Sequence, residues 1–533
     1  MLTQRQLRWA EPLGHATIDQ RVQHEQLSRE ACSTSTIDER SRPPRSAILP
    51  VQYVPKEPVE KDPKTIPDRS TVTIDPSFDW GTWEGWGTSL AWWAKAFGNR
   101  DDLADAFFSL SWQNLNGQKL PGLGFNIARY NAGACSGNSI GALTMVKGPH
   151  MSAAKQIDGF WIDWMSTDPA STSWDWSVDG NQRAMLLKSQ QRGADIFELF
   201  SNSPMWWMCL NSNPAGADDG RDGNLQPWNL RQHAVYLSSI AKHARDNWDI
   251  AFQSVEPFNE PDGDWWSGVA KDQEGCRISP DLQGPVIDYL RDELNARGLP
   301  STLVAASDAN TYDTALAIWQ ALAFTRHTQN IGRVNVHGYQ GQDGRRNVLS
   351  DVVRKAGKPI WNSEYGDGDA TGRQLVSNLI LDFRWLHPTA WIYWQVVDIA
   401  GWGLIEGDIS AGTLTHASQK YFLLAMFTRH IRPGMRILDS GRDNVVAAYD
   451  AGRRKLIIVA VNWGEAQYVN FELSRFKQAS VDEKRVLRWR TQIGDGGDRY
   501  ADYWEDTFMR GTKFWSWFDR DTVQTFEVDD VVL

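Results

Sequence analysis

The chain has 533 residues, with 55 Lys and Arg against 66 Asp and Glu, and its formal net charge is −11. This acidic balance argues against nucleic acid and against an anionic membrane surface as partners. With 41% apolar and 23% charged residues the composition is that of a folded globular protein, and no apolar run is long enough for a transmembrane helix. The 28 tryptophans exceed ordinary usage. Because indole faces stack on the C–H faces of sugars, they indicate a carbohydrate partner.

Residues 1–70 differ in composition from the rest of the chain. They are rich in Arg, Gln, Glu, Ser and Pro, and the segments Ser41–Arg45 and Val54–Pro63 are typical of extended, unpacked chain. We therefore predict a disordered N-terminal tail over 1–70. The first 20 residues hold no apolar segment of the kind found in secretory signal peptides, so no signal peptide is predicted from the sequence as written.

Order is predicted to begin with a strand in residues 71–78, and residues 79–425 then alternate strand-like runs with helical patterns. Eight β–α units of this kind predict an α/β fold, a closed (β/α)8 TIM barrel. A doubly wound sheet is the rival, but no Gly-rich phosphate loop follows the first strand. Helical patterns cover Leu230–Asn247, Gly284–Arg297 and Tyr312–Thr325. The predicted strands are Gly85–Ala91, Leu123–Tyr130, Asp195–Ser201, Phe252–Pro257, Leu303–Ser307, Arg333–His337, Pro359–Ser363 and Ala390–Val396.

The C-terminal residues 426–533 show a different pattern, which predicts a side domain built as an antiparallel β-sandwich. Val445–Tyr449 and Lys455–Asn462 flank the turn Asp450–Arg453, which is a hairpin signal. Ala466–Leu473 and Thr522–Val528 also alternate between apolar and polar residues. The N-terminal strand in 71–78 needs a pairing partner, and we expect this domain to provide it.

Two glutamates follow or end predicted barrel strands. Glu260 comes just after the fourth strand, in the motif Val255–Pro261, and Glu364 comes at the end of the seventh. Active sites of such barrels lie at the C-terminal ends of the strands, and these two strands face each other across the mouth. Paired carboxyl groups are what glycoside hydrolysis requires. We predict Glu260 as the acid/base and Glu364 as the nucleophile, and Glu256 as a structural, inward-facing residue.

Other polar and aromatic side chains are expected to reach the same mouth. A buried Arg129 can hold the nucleophile ionised, Tyr339 can orient it, and Asn259 can bond a sugar 2-hydroxyl. Trp206 and Trp394 are the candidate platforms under the sugar. No spacing of His, Cys and Asp indicates a metal, and no phosphate-binding loop or nucleophile elbow occurs, so no cofactor is expected. The predicted substrate-binding residues are Arg129, Asn131, Trp206, Asn259, His337, Tyr339 and Trp394.

These motifs resemble glycoside hydrolase family 30, within the clan of retaining (β/α)8 enzymes. Asn259-Glu260 resembles the clan's acid/base motif, and the segment around Glu364 resembles its nucleophile motif. Longer segments, Gly85–Lys95, Leu120–Cys135 and Asn202–Cys209, resemble the fungal endo-β-1,6-galactanases of that family. The resemblance runs from about residue 71 to the C-terminus.

The resemblance implies cleavage of internal β-1,6-galactosidic bonds in galactan or arabinogalactan side chains. It implies retained configuration, a covalent galactosyl-enzyme, no cofactor, a monomer without nucleic-acid or membrane partners, and an extracellular location. The residues alone leave two alternatives open. One is a β-1,6-glucanase or glucosylceramidase-like enzyme of the same family, and the other is a catalytically inactive carbohydrate-binding protein.

Three cysteines follow strands on the catalytic face: Cys135, Cys209 and Cys276. In the oxidising compartment that the resemblance implies, one disulfide is expected among them, with Cys209–Cys276 the favoured pair. Three free, buried thiols are the alternative. Cys32 lies in the N-terminal tail and is expected to be unpaired.

Overall fold

The structure is a computed structural model that describes residues 70–533. The tail predicted over 1–70 and Cys32 lie outside these residues, apart from Ser70. At its centre, eight parallel strands pair in sequence order and close into a barrel. All eight predicted strands exist, with ends that differ by at most four residues. The barrel strands are Gly85–Ser89, Ile127–Asn131, Ile196–Phe200, Ser254–Glu256, Leu303–Ala309, Arg333–His337, Ile360–Tyr365 and Ala390–Tyr393.

Helices follow every barrel strand and cover the outside of the barrel, so the strands are buried on both faces, including the polar residues that they carry. The three predicted helices are confirmed at Leu230–His243, Pro280–Ala296 and Tyr312–Phe324. The first of these continues into one π-helical turn, Ala244–Trp248. The other α-helices are Ala91–Phe97, Asp101–Phe108, Gly180–Gln191, Arg346–Lys355, Arg373–Leu381 and Gln419–Thr428.

The N-terminal strands between Thr71 and Thr82 and the C-terminal strands from Arg436 onward form a side domain with two stacked sheets. Short hairpins such as Trp112–Leu115 with Gln118–Pro121 lie in the connections of the barrel. The seven-stranded sheet contains, in spatial order, Asp75–Thr82, Arg436–Asp439, Val445–Asp450, Lys455–Asn462, Thr522–Val528, Leu487–Gln492 and Ala501–Asp502. The three-stranded sheet contains Thr71–Thr73, Gln467–Glu472 and Lys513–Phe518. The predicted hairpin is present, and its two strands pair from Val445 opposite Ala460 to Asp450 opposite Lys455. The N-terminal segment places one strand in each sheet.

Both faces of the seven-stranded sheet are buried. In the strand Lys455–Asn462, Ile457 and Val459 belong to the core shared with the barrel, while Leu456 and Ile458 belong to the core between the two sheets. The Thr525 hydroxyl donates to the carbonyl of Met426 in the last barrel helix at 2.8 Å. The side domain therefore shares one hydrophobic core with the barrel.

The prediction of a disulfide between Cys209 and Cys276 is wrong. Cys135, Cys209 and Cys276 are all free and buried, which was the alternative. Each thiol donates to an acceptor of its own. Cys135 Sγ lies 3.3 Å from the carboxylate of Glu274, and Cys209 Sγ lies 3.8 Å from the carbonyl of Pro204. Burial raises the pKa of the Cys276 thiol to about 12, which keeps it protonated.

Candidate active site

The structure brings Glu260 and Glu364 together at the mouth of the barrel. Glu364 lies within the seventh strand, and Glu260 lies in the loop after the fourth, where its backbone N–H donates to the carbonyl of Asp308 at 2.9 Å. Glu260 has a left-handed φ of +44°, a strained conformation of the kind that clusters at functional sites. One carboxylate oxygen of Glu260 lies within 4.8 Å of one of Glu364. The two groups are thus close enough to flank one bond.

His337, at the end of the sixth strand, lies between these two carboxylates. Its Nδ1 is 3.2 Å from Oε1 of Glu260 and 3.5 Å from Oε1 of Glu364, and its Nε2 is 3.5 Å from Oδ1 of Asp308. Burial opposes charge on the ring, but the carboxylates of Glu364 and Asp308 raise the pKa of His337 well above its usual range. His337 is therefore a cation in contact with both glutamates.

A second buried cation, Arg129, reaches Glu364 from the second strand. Its Nη1 is 3.5 Å from Oε2 of Glu364 and donates to the carbonyl of Ser363 at 3.0 Å. The same guanidinium donates to the carboxylates of Glu198, at 2.7 Å, and Asp308. Arg129 and its partners form a fully buried ion network beneath the two glutamates. Removing one member would leave an uncompensated buried charge, so the network fixes the position of Arg129.

Glu364 also accepts a hydrogen bond from a tyrosine. The Tyr339 hydroxyl donates to Oε1 of Glu364 at 2.9 Å, as the sequence suggested. Burial raises the pKa of Glu364 to about 7; the His337 and Arg129 cations oppose this effect, and the charge of Glu260 adds to it. Arg129 alone therefore does not depress the pKa of Glu364 below its usual range. The carboxyl of Glu364 changes its charge near neutral pH.

A cavity of about 400 Å³ opens directly above the two glutamates. Asn259, Tyr339 and Trp394, three of the residues predicted to contact a sugar, line this cavity. The Asn259 Oδ1 atom is buried and has no hydrogen-bond partner within residues 70–533, so this amide oxygen is available to a hydroxyl. The remaining walls come from Trp265, Lys271, Gln273, Asn310 and Trp402.

Four of the predicted contact residues do not line this cavity. Arg129 and His337 act on the glutamates from beneath, as described. Asn131 is buried and donates through Nδ2 to Glu274 at 3.1 Å. Trp206 is 0% exposed and donates through its indole N–H to the Ser136 hydroxyl at 2.6 Å, so it presents no ring face to a sugar. Trp402, which is 39% exposed, joins Trp394 in the cavity wall instead.

Sequence reasoning missed several groups that the site depends on. Asn310 donates to Oε1 of Glu260 at 2.6 Å, and Asp308 connects Arg129 with His337. Glu198 is a charged residue inside the apolar strand Ile196–Phe200, and this position was a usable signal of a buried ion network. Glu256 is fully buried, as expected.

Glu274 was also missed, and it connects two loops of the catalytic face. It follows the cavity residue Gln273, and its Oε1 accepts the backbone N–H groups of Ala134 and Ile157 at 3.1 and 3.2 Å. These bonds, together with the hydrogen bond from Asn131 Nδ2 to Glu274, fix the loop after the fourth strand to the loop after the second. Burial raises the pKa of Glu274 to about 7.

Glu260, His337 and Glu364 are the described groups close enough together to hold a metal ion. A ligating imidazole must be neutral, because protonation removes its lone pair. His337 Nδ1 faces both carboxylates and its pKa is raised, so these groups form ion pairs instead.

Among residues 70–533, no helix has the length and apolar character that crossing a membrane requires.

Comparison with known proteins identifies the family. The model of O-glycosyl hydrolase family 30 matches residues 69–320. The chain is 58% identical over 465 residues to an endo-β-1,6-galactanase of Hypocrea rufa, spanning 87% of this chain and 95% of the relative. It is 24% identical over 430 residues to an exo-β-1,6-galactobiohydrolase of Bifidobacterium longum subsp. longum. That match covers 62% of this chain and 27% of the relative.

Solved structures show the same fold. The catalytic domain of the family 30 xylanase C from Talaromyces cellulolyticus superposes with a TM-score of 0.63 at 20% identity, over 86% of this chain and 100% of that one. At this identity the likeness concerns the barrel and its side domain, and the relationship to the family rests on the sequence matches. The chain belongs to O-glycosyl hydrolase family 30.

Proposed function

We propose that this chain is a retaining endo-β-1,6-galactanase that cleaves internal β-1,6-galactosidic bonds of galactan and arabinogalactan side chains. The observation that carries the proposal is the approach of the Glu260 and Glu364 carboxylates to within 4.8 Å at the barrel mouth. Retaining enzymes keep their two carboxyl groups about 5–5.5 Å apart, whereas inverting enzymes leave room for a water molecule. The spacing therefore favours a double displacement.

In the first step Glu364 is the nucleophile and Glu260 the acid. A Glu364 oxygen attacks the anomeric carbon while Glu260 protonates the departing glycosidic oxygen, so one C–O bond forms as another breaks. Tyr339 holds the attacking carboxylate through its 2.9 Å hydrogen bond, and Asn310 orients Glu260. Trp394 supports the sugar, and the free Asn259 Oδ1 accepts its 2-hydroxyl.

In the second step water releases the sugar. Glu260, now a carboxylate, takes a proton from a water molecule whose oxygen attacks the anomeric carbon, and the bond to Glu364 breaks. Two inversions give net retention. The cationic His337 contacts both glutamates, so it stabilises whichever of them carries the negative charge at each stage.

The choice of galactose rests on the 58% identity to the Hypocrea rufa enzyme over 95% of its length. We place the protein's action outside the cell, because its substrate is a polymer. One chain supplies every site residue named above, so we propose a monomer.

The test is incubation with β-1,6-galactan, β-1,3-galactan and β-1,6-glucan, with the products sized over time. We expect a ladder of galacto-oligosaccharides from β-1,6-galactan alone, and NMR should show the β-anomer first. Release from β-1,6-glucan instead would move the substrate to glucose. Monosaccharide or disaccharide as the sole early product would contradict internal cleavage, and a first α-anomer would contradict retention.

A further inference from the structure

The backbone of Glu260 is fixed on both sides of its α-carbon. Its N–H donates to the carbonyl of Asp308 at 2.9 Å, and its carbonyl accepts the indole N–H of Trp266 at 2.8 Å and the backbone N–H of Gly263 at 3.0 Å. These bonds hold the two peptide planes that flank Glu260. Because the two planes determine φ and ψ, they also determine the direction in which the side chain leaves the backbone.

We infer that Trp266 is a positioning residue for the acid/base, which aims the carboxyl of Glu260 at the leaving oxygen by holding the Glu260 carbonyl. The inference rests on the proposed function, because it assigns a partner to the role that Glu260 has there. Trp266 does not line the cavity above the two glutamates, so it acts through Glu260 and not on the sugar.

The conformation that Trp266 supports is one that the chain does not adopt unaided. Glu260 has a φ of +44°, in the left-handed region where the Cβ atom crowds the following carbonyl oxygen. Such conformations persist only where surrounding contacts over-determine them. Pro261 follows and has no N–H, so the Glu260 carbonyl is the only hydrogen-bonding group of the peptide that joins them. Gly263 belongs to the same turn, and Trp266 is therefore the donor that connects this peptide to the packed interior of the loop.

Trp266 is itself held on several sides. Its side chain is 1% exposed, and Lys271 Nζ lies 5.7 Å from the centre of its ring. A Cβ atom added at Gly275 would lie 2.0 Å from Cε3 of the ring. One added at Gly216, in the loop after the third strand, would lie 2.1 Å from the Trp266 carbonyl oxygen. The ring therefore lies directly against backbone and cannot shift unless that backbone moves.

The backbone around this ring is anchored to the neighbouring loops. The Gly275 N–H donates to the carbonyl of Pro214, after the third strand, at 2.9 Å. Glu274, the residue before Gly275, accepts the N–H groups of Ala134 and Ile157, after the second strand. The indole N–H that bonds Glu260 is thus fixed relative to three loops of the catalytic face.

The test measures how far the reaction depends on acid catalysis. Two aryl β-1,6-galactotriosides share one glycone, but 2,4-dinitrophenolate leaves without a proton, whereas phenolate needs one. The ratio of kcat/KM for the dinitrophenyl to that for the phenyl trioside rises when the acid is displaced. We expect Trp266→Phe to lower kcat/KM about five- to hundredfold on the phenyl trioside and less than about twofold on the dinitrophenyl trioside. A general loss of structure would lower both alike.

Further variants separate positioning from packing. Glu260→Ala should raise the ratio more than Trp266→Phe does, and adding Trp266→Phe to Glu260→Ala should change it no further, because no acid remains to be aimed. The matched control is Trp207→Phe, which should keep the ratio. Trp207 is also buried on the catalytic face, and its indole N–H donates to the carbonyl of Trp161 at the same 2.8 Å. A protein with 3-benzothienylalanine at position 266 keeps the bicyclic ring and carries sulfur in place of the N–H, which tests the bond if Trp266→Phe does not fold.

Each outcome decides. A wild-type ratio in the folded Trp266→Phe or benzothienylalanine protein would overturn the inference and leave the proposed function standing. So would an equal rise in Trp207→Phe, or a rise caused by Trp266→Phe in the Glu260→Ala background. An unchanged ratio in Glu260→Ala, or no hydrolysis of the triosides or of β-1,6-galactan by the wild type, would overturn the proposed function and this inference with it.

Discussion

The Nδ1 atom of His337 lies 3.2 Å from Oε1 of Glu260, and the same atom lies 3.5 Å from Oε1 of Glu364. One buried imidazolium thus contacts both carboxyl groups that the proposed mechanism uses. Because the negative charge passes between the two glutamates during a double displacement, a cation shared by both stabilises each stage without moving. This arrangement connects the electrostatics of the site with its catalytic cycle, and the following predictions test it.

Removing either carboxylate should stop turnover in a distinguishable way. Glu364→Gln should lower kcat on β-1,6-galactan by at least about 10⁴-fold, since losing a nucleophile removes the covalent route. Glu260→Ala should stop cleavage of galactan, yet azide should restore turnover of an aryl galactoside and give the β-galactosyl azide. An α-galactosyl azide, or azide rescue of Glu364→Gln in place of Glu260→Ala, would mean that the two roles are exchanged.

The acid limb of the pH profile should report Glu364. Burial raises the pKa of Glu364 to about 7, and the nucleophile must be ionised, so kcat/KM on an aryl galactoside should fall as pH drops through about 7. The charge of Glu260 contributes to this raised pKa. Glu260→Gln should therefore move the acid limb to lower pH. An unmoved limb in that variant would show that another group controls it.

Tyr339→Phe should weaken catalysis and shift the same limb in the opposite direction. The Tyr339 hydroxyl donates to Glu364 at 2.9 Å, and a donor to a carboxylate favours its charged form. Losing one such bond costs about 1.5–3 kcal/mol, which predicts a kcat loss of roughly 10- to 150-fold and a higher acid-limb pKa. The matched control is Tyr289→Phe, because Tyr289 lies in the helix Pro280–Ala296 and does not line the cavity. A Tyr339→Phe profile that overlies the wild type would remove Tyr339 from the mechanism.

Glu274 should make stability depend on pH. Its pKa is raised in the folded protein to about 7 from an ordinary value of 4.5, so the folded state holds more protons between these pH values. Stability should therefore fall as pH rises from about 4.5 to 7, by up to about 3 kcal/mol from this group. Glu274→Gln should flatten that fall. Urea unfolding at pH 5 and pH 7.5 measures the change in the free energy of unfolding between these pH values. An equal change in the wild type and in Glu274→Gln would contradict the prediction.

The three buried cysteines should react only after unfolding. In a Cys32→Ser background, alkylation of the denatured, unreduced protein should modify Cys135, Cys209 and Cys276, because all three are free. A reductant should leave the melting temperature unchanged. If only one cysteine were modified, and the protein mass were two hydrogens lower than that of the free-thiol form, the Cys209–Cys276 disulfide would exist after all.

The barrel strands could be predicted from the periodicity of the sequence, and two candidate catalytic residues from their position at strand ends. Parallel barrel strands bring their C-terminal ends to one face, so Glu260 and Glu364 could be placed together without coordinates. Trp206 could not be placed, because a Trp-Trp pair in a loop reads the same whether its rings are buried or exposed. Asp308 and Asn310 escaped notice because their partners Arg129, His337 and Glu260 come from other strands and loops, distant in the chain. The cysteine pairing failed for a related reason, since sequence spacing carries no information about the distance between sulfur atoms.

The two sheets of the side domain determine the order in which this protein can be completed during synthesis. The strand Asp75–Thr82 leaves the ribosome early, but its partner Arg436–Asp439 follows some 350 residues later, and Thr71–Thr73 waits still longer for Gln467–Glu472. At about 5–20 residues per second, the first strand stays unpaired for roughly 20 to 70 s. Until the strand with Thr525 is made, the last barrel helix lacks its packing partner, and the hydrophobic core of the nascent barrel is incomplete. Expression hosts that slow translation or degrade partial chains should therefore lose the enzyme before its C-terminus is made.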